Sequence, residues 1–374
     1  MERRPLVTHN SSDRPLRLML TGGGTGGHLF PAVATAQRLC ARKPDSQVLF
    51  VGTKRKLDRK HLERYGFSVA AVDSYGLKGK KLGALLKAIT VLPVTFCQAC
   101  YHIFRFRPDV VCGVGGYVTG PVVAAAWMMG KPTIIHEQNS VPGLANRKLG
   151  RIVDAVCLSL PACQSYFPAG KTVVTGNPVR SQIIDSGESS RQPGKRMTLL
   201  VLGGSQGARA INEIIVEVFS AGDRDLSDIE IIHQTGAADE AGVRKAYEVN
   251  NVNARVSAFF DDMADVYKRA DLVVSRAGAT TLAELAVLGK PAILIPYPHA
   301  ADNHQEKNAG GFVEQGGALM FSQRDLTADI LRKEIKLLIQ APETLETMSQ
   351  SMKELGIPDA ADRIVDLCLE MAGK

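Results

Sequence analysis

Leu16-Arg17-Leu18-Met19-Leu20-Thr21-Gly22-Gly23-Gly24-Thr25-Gly26-Gly27-His28 is the stretch on which the fold turns. An apolar run over 16–20 ends in a glycine-rich loop, and a helical pattern follows over 28–40. A strand, a Gly-rich turn and a helix in succession open a Rossmann-like unit. The succession recurs with an apolar run at 198–202, the loop Gly203-Gly204-Ser205-Gln206-Gly207 and a helical pattern over 208–219. Between the two, residues 185–196 are rich in Ser, Gly, Pro and charge and read as a linker. Further apolar runs fit parallel strands buried on both faces: 48–51, 110–111, 133–135, 155–158 and 172–174, then 229–233, 256–259, 272–274 and 292–295. The expected fold is α/β: two tandem Rossmann-like, doubly wound parallel-sheet domains with an interdomain cleft.

The chain has 374 residues, enough for two domains with a core each. At 45% hydrophobic and 22% charged residues it excludes disordered, collagen-like and coiled-coil classes. The formal net charge of +7 conceals a division. Residues 1–180 carry 25 Lys and Arg against 9 Asp and Glu, whereas residues 181–374 carry 20 against 29. Such asymmetry points to an anionic partner met by one half: a membrane surface, nucleic acid or a phosphorylated ligand. The first 15 residues lack the apolar core of a secretory signal. Seven scattered cysteines fit a reducing cytosol. Cys97 and Cys100 have redox-motif spacing, but no second pair accompanies them, so they read as small apolar residues one turn apart on a buried helix. The most apolar long stretch, 84–104, contains Lys87, Pro93, Gln98 and His102 and fails as a spanning helix.

Glycines in the first loop let backbone N–H groups approach a phosphate, and the dipole of the following helix adds attraction. Gly22, Gly24 and Gly27 formally satisfy the dinucleotide fingerprint, but a nicotinamide site also needs a carboxylate at the end of the second strand. That strand ends Val51-Gly52-Thr53-Lys54-Arg55, which disfavours NAD and leaves NADP open. His28 opens the helix, where the dipole disfavours imidazolium and leaves a neutral ring able to accept a proton. A His that merely caps or packs the turn is an equal alternative. Two more loops, around Gly115, Gly116 and Tyr117 and at His136-Glu137-Gln138-Asn139, follow strands of the same half and should converge on one rim. For Tyr117 alone, a loop aromatic covering the sheet end is the plainer reading, and for Glu137 alone an ion pair is. It is their clustering that favours a site.

In the second half, Gly203 to Gly207 makes an anion nest at a helix start. Arg276-Ala277-Gly278-Ala279-Thr280-Thr281 allows a diphosphate to approach a helix N-terminus, with Arg276 as counter-charge. Glu284, one turn on, is placed to accept both hydroxyls of a ribose, with a solvated helix Glu as competitor. Asp302-Asn303-His304-Gln305 offers polar groups of the kind that read sugar hydroxyls. No Asp-x-Asp pair suited to a metal–nucleotide is present, so neither an obligatory metal nor another cofactor is expected. Two such units, with diphosphate loops in both and a ribose carboxylate in the second, describe a nucleotide-sugar glycosyltransferase.

In order along the chain stand Thr21 to His28 with Pro31, Gly115-Gly116-Tyr117-Val118-Thr119-Gly120-Pro121, His136 to Asn139 and Gly176-Asn177-Pro178-Val179-Arg180. Gly203 to Gly207, Phe260-Asp261-Asp262-Met263, Arg276 to Glu284 and Asp302 to Gln305 follow. In this ordered set, over nearly all the chain after about residue 16, it resembles the MurG family, bacterial UDP-GlcNAc transferases that convert lipid I to lipid II. The resemblance implies the two-domain GT-B fold. Residues 16–180 form an acceptor-binding, membrane-associating domain and 181–357 the UDP-GlcNAc domain, with 358–374 crossing back onto the first.

It further implies that the backbone at Phe260 reads uracil and Glu284 the ribose, while Ser205, Arg276, Ala279, Thr280 and Thr281 hold the diphosphate. Gln305 with His304 holds the GlcNAc hydroxyls. Asn139 and Arg180 reach the donor from the junction, and Thr25, Gly26 and Gly27 close over it. Gly23, Gly24, Gly115, Gly116 and Tyr117 face the acceptor's diphosphate. The implied reaction inverts the anomeric centre: the MurNAc 4-hydroxyl attacks C1 and UDP leaves, with Arg276 stabilising the developing charge. His28 is the first candidate for general base and Glu137 the second. Asp58 stands where the family often has Glu, and residues 1–15 are an extension.

The implied place is peripheral, on the cytoplasmic face of the inner membrane, in peptidoglycan synthesis. Lys78, Lys80 and Lys81 precede an apolar segment over 82–96, and Arg105 and Arg107 follow. This suits an anionic leaflet, each charge contributing about 1 kcal/mol near the surface. An ordinary core helix with solvated ends is the alternative. The basic half is then the acceptor half, and nucleic acid loses its support. Rival functions are another glycosyltransferase of this fold, an NADP-dependent oxidoreductase and a silent nucleotide-sugar binding module.

Overall fold

Strand β1 (Arg17–Thr21) carries Leu18, Met19 and Leu20 into the interior without exposed surface, as a strand covered on both faces must. The computed structural model describes residues 14–23, 26–53, 62–63, 65–74, 82–187, 196–204 and 207–373, with 82–89 by backbone alone. Gly24, Thr25, Asp58, Lys78, Lys80, Lys81 and Ser205 lie outside the described residues, as does most of the expected linker.

β1 belongs to a seven-stranded sheet with β2 (Gln47–Thr53), β3 (Ser68–Val72), β4 (Val110–Gly113), β5 (Thr133–Glu137), β6 (Ala155–Leu158) and β7 (Thr172–Val174). Its order is β3-β2-β1-β4-β5-β6-β7. β8 (Thr198–Leu202), β9 (Glu230–Gln234), β10 (Ala254–Ser257), β11 (Leu272–Ser275), β12 (Ala292–Leu294) and β13 (Ala318–Met320) form the second sheet, in the order β10-β9-β8-β11-β12-β13. All described pairings are parallel. Strand order reverses between β1 and β4 in one sheet and between β8 and β11 in the other. Loops leaving the two strands at such a reversal turn to opposite faces and open a crevice at the strand C-termini.

The structure departs from the sequence reading at the sheet edges. β3 and β13 carry no long apolar run, being partly exposed edge strands read Ser-Val-Ala-Ala-Val and Ala-Leu-Met. β10 ends at Ser257 rather than Phe259, because its register pairs Ala254 with Ile231 and Ser257 with Gln234. The first helix begins two residues early, spanning Gly26–Arg42.

The C-terminal helix Ala360–Ala372 lies along Gly26–Arg42 and sends Ile364, Val365 and Cys368 into the core shared by Leu18 and Leu20. Arg38 pairs with Asp362 at 2.7 Å and Arg42 with Asp366 at 2.6 Å. These surface pairs contribute at most about 1 kcal/mol each, so apolar burial holds the helix in place. Helix Leu82–Phe106 places Ala99 and Ile103 in the opposite core layer. Cys97 and Cys100 lie on this helix one turn apart, but Cys97 is exposed and Cys100 half-buried, which corrects the expectation of a buried pair. Among the described residues no helix is long and apolar enough to cross a membrane.

Candidate active site between the two glycine-rich rims

The crevices of the two sheets face one another and enclose a cleft of about 850 Å³. Gly26, Gly27 and His28 line it from the first half; Gly203, Arg276 and Thr280 line it from the second. The first rim is built by two loops in close contact. Gly116 has φ +86°, and a Cβ there would stand 2.4 Å from the carbonyl oxygen of Gly23. Gly115 has φ +101°, and a Cβ there would meet the His28 ring at 2.9 Å. Only glycine allows both the conformation and the approach. Gly23 is buried beneath Gly116.

His28 is half-buried on this rim, its Nδ1 3.2 Å from Gln138 Oε1. Glu137, the second candidate base, is otherwise engaged. Its Oε1 accepts from the backbone N–H and the side-chain amide of Asn139 at 3.0 and 3.2 Å. Its Oε2 accepts from the Gly143 N–H at 3.1 Å and Asn146 Nδ2 at 2.9 Å. These four donors tie its side chain to the loop that starts helix Leu144–Leu149. Tyr117 is not among the residues lining the cleft; it packs half-buried against the core layer that includes Val122 and Ile135.

On the second rim, helix Ala279–Val287 starts without a side-chain cap, so its first N–H groups have no capping side chain and open toward the cleft. Ala279, Thr280 and Thr281 line the cleft there. Thr280 Oγ1 donates to the Gly27 carbonyl at 3.0 Å, joining the rims. Pro31 explains why that carbonyl is free: lacking an N–H, it cannot make the helical bond back to Gly27. Arg276 donates to the Ile295 and Pro296 carbonyls at 3.0 and 3.2 Å and to Gln323 Oε1 at 2.6 Å. Among the described residues no carboxylate pairs with it, and burial pushes its pKa down.

Glu284 is buried and doubly held. Its Oε1 accepts from Arg180 Nη2 at 3.1 Å and its Oε2 from the Tyr267 hydroxyl at 2.8 Å. Burial pushes its pKa above the usual carboxylate range, against the pull of Arg180 and Tyr267. The Arg180 guanidinium also lies 4.2 Å above the Phe30 ring. The solvated helix Glu is therefore not what this residue is.

Three expected donor contacts are modified. The backbone N–H of Phe260 is given to Gln234 Oε1 at 3.1 Å and its ring is buried; Phe259 and Gln234 line the cleft instead. Asn139 lines the cleft, but its amide is engaged with Glu137 and Asn308. His304 and Gln305 line it too, Nδ1 of His304 donating to the Ala301 carbonyl at 2.8 Å and Oε1 of Gln305 accepting from the Tyr297 N–H at 2.9 Å.

Sequence reasoning missed Asn308, which is 1% exposed and ties the halves together. It accepts from the Ser140 N–H at 2.8 Å and donates to Asn139 Oδ1 at 3.1 Å and the Ala277 carbonyl at 3.3 Å. Tyr267 and Gln138 were missed as well. The only trace of Asn308 and Tyr267 in the sequence is a polar group on an otherwise core-facing helix surface; Gln138 lay inside a motif already singled out.

Comparison with known proteins places this architecture. Residues 18–158 match the glycosyltransferase family 28 N-terminal domain and residues 198–364 the glycosyltransferase family 28 C-terminal domain. The chain is 55% identical, over 96% of its length and 98% of the relative's, to the UDP-N-acetylglucosamine–N-acetylmuramyl-(pentapeptide) pyrophosphoryl-undecaprenol N-acetylglucosamine transferase of Desulfotalea psychrophila. It belongs to that family, the MurG glycosyltransferases. The Myxococcus xanthus member is 45% identical over 95% of this chain and 93% of its own. The crystal structure of Acinetobacter baumannii MurG superposes with a TM-score of 0.75 at 31% identity, covering 95% of this chain and all of that one. The two parallel-sheet α/β domains are thus the GT-B arrangement of the family.

Proposed function

We propose that this chain transfers GlcNAc from UDP-GlcNAc to the MurNAc 4-hydroxyl of lipid I, forming lipid II and UDP with inversion at C1. The observation that carries the reading is the contact of Thr280 with Gly27. It sets the diphosphate-binding helix start of one half against the residue preceding His28 in the other. Residues 16–180 with 358–374 serve the acceptor, and residues 181–357 the donor.

In this reading His28 Nε2 takes the hydroxyl proton as the oxygen attacks C1. The bond from C1 to the diphosphate breaks, and UDP leaves with the electron pair. Arg276, the open N–H groups at Ala279, Thr280 and Thr281, and Ser205 stabilise the charge on UDP. Glu284 takes the ribose hydroxyls, and His304 and Gln305 the GlcNAc hydroxyls. Arg180, Asn139, Thr25, Gly26 and Gly27 close the donor side. Gly24, Gly115 and Gly116 face the acceptor's diphosphate. Uracil meets the backbone around Phe259 and Phe260. Glu137 organises the loop beneath.

The acceptor is a lipid, and an exposed apolar surface supports docking on its membrane. On helix Leu82–Phe106, exposed Val94, Cys97, Tyr101 and Phe104 follow one another at three- and four-residue spacing, along one helix face. Exposed Trp127 and Met128 end the neighbouring helix Thr119–Met128, and Arg105 and Arg107 stand nearby. With Lys78, Lys80 and Lys81 this surface docks on an anionic leaflet.

Turnover of UDP-GlcNAc with a lipid I analogue tests the proposal: release of UDP with formation of the disaccharide product is expected. Heat of binding with NADPH and none with UDP-GlcNAc would overturn it.

A further inference from the structure

Buried under the rim, a chain of side chains joins His28 to the sheet, and its hydrogens are determined by its two ends. The Val114 carbonyl can only accept. The Gln138 atom 2.8 Å from it is therefore the amide nitrogen. The same nitrogen lies 3.1 Å from His136 Nδ1 and gives it the second hydrogen. The other end agrees independently. His136 Nε2 is 3.1 Å from the Gly176 carbonyl, which also only accepts, so Nε2 carries the hydrogen and Nδ1 the lone pair. Ser159 Oγ, 3.0 Å from the same nitrogen, is consistent with this as a second acceptor. Burial pushes the His136 pKa down to about 4, so the ring stays neutral at working pH.

With its nitrogen committed twice, Gln138 turns only oxygen toward His28. An oxygen 3.2 Å from His28 Nδ1 requires hydrogen on Nδ1. A neutral His28 then has its lone pair on Nε2, the nitrogen for which a base has use. Gln138 is 2% exposed and His136 fully buried, so neither exchanges these partners for water. The His28 ring also lies against Gly115, where a Cβ would meet it at 2.9 Å.

We propose that Gln138 is a positioning residue that holds His28 in the tautomer with Nδ1 protonated and Nε2 bare, and that His136 locks Gln138 in the orientation this requires. The proposal rests on His28 being the general base. It gives the sequence His136-Glu137-Gln138 a division of labour: outer members for the tautomer, Glu137 for the loop.

The test is nitrogen NMR on protein carrying 15N-histidine, with His28 assigned by loss of its signals in His28→Gln. In the unsubstituted protein His28 should show a protonated Nδ1 and a bare Nε2. The opposite pattern overturns the proposal before any variant is considered. In Gln138→Leu the His28 ring should revert toward the Nε2-protonated form favoured by free imidazole. Its kcat should fall by about 10²-fold, the lower range of general-base contributions, with both KM values within about threefold. A Gln138→Leu protein that keeps kcat while His28→Gln loses it overturns the relay and leaves the base reading standing. If His28→Gln itself keeps kcat, the base reading fails, whatever the tautomer.

Discussion

Among single residues, Glu284 carries the clearest consequence. Its carboxylate binds Arg180 and Tyr267 in a buried site, so removing it takes away the proposed ribose contact and leaves a buried guanidinium without its carboxylate. Glu284→Ala should raise the donor KM by at least about tenfold, measured by initial rates, with kcat less affected. It should also destabilise the fold by about 3–5 kcal/mol, read as a fall in Tm. Two buried histidines predict a pH effect. His136 is pushed down to about 4 and His233 to about 3, both by burial. A His whose folded pKa is depressed favours the fold above its unfolded value of about 6.5. That contribution is lost as pH falls from about 6.5 toward 4 and below, at about 1.4 kcal/mol per unit for each ring. Tm followed across this range should therefore decline on the acid side. His233→Gln should flatten the decline, since a neutral amide has no proton to take up. The sequence marked Glu284 and His28 through motif position. It was silent on His233, whose partners Tyr247 and Asn212 come from two other elements.

At the scale of elements, helix Leu82–Phe106 presents one buried and one exposed face. Ala99 and Ile103 are buried in the core, while Tyr101 and Phe104 are 57% and 69% exposed. The core-helix reading holds for the buried face, and the exposed face is the one on which the proposed membrane docking rests. Replacing exposed apolar groups on one face should weaken membrane docking and spare the fold. Phe104→Glu combined with Trp127→Glu should reduce binding to vesicles containing anionic lipid at least about tenfold, while turnover of a water-soluble acceptor analogue stays within about twofold. Unchanged vesicle sedimentation would remove this helix from the docking surface. The apolar run revealed the helix but not its exposed face. Which side is covered depends on helix Thr119–Met128 and strand β3, neither of which the run itself specifies.

For the whole molecule, the junction is the decisive feature. Asn308 binds both the Ser140 loop and the Ala277 carbonyl, and Thr280 binds Gly27. Asn308→Ala strands a buried N–H and a buried carbonyl, at a cost of about 1–3 kcal/mol for each unsatisfied group. Calorimetry should then separate the melting of the two halves into distinct transitions, and the donor KM should rise. A single unchanged transition would show that the halves are coupled elsewhere. The charge division fits the proposed function, in which the basic half meets an anionic surface and the acidic half takes the soluble donor with local positive groups such as Arg276.

The sequence by itself determined the paired α/β architecture, the family and the position of each loop. Strand–glycine–helix patterns are local, and their order along the chain is specific. Tertiary structure alone decided which atoms within those loops are available for chemistry. Successive residues in a loop point in different directions, so Glu137 is tied into backbone while neighbouring Gln138 reaches His28. For the same reason Phe259 lines the cleft and Phe260 is buried. A polar side chain's remaining capacity depends on partners far along the chain. Gln138 meets His28 across 110 residues and Arg180 meets Glu284 across 104, distances at which no local pattern carries information.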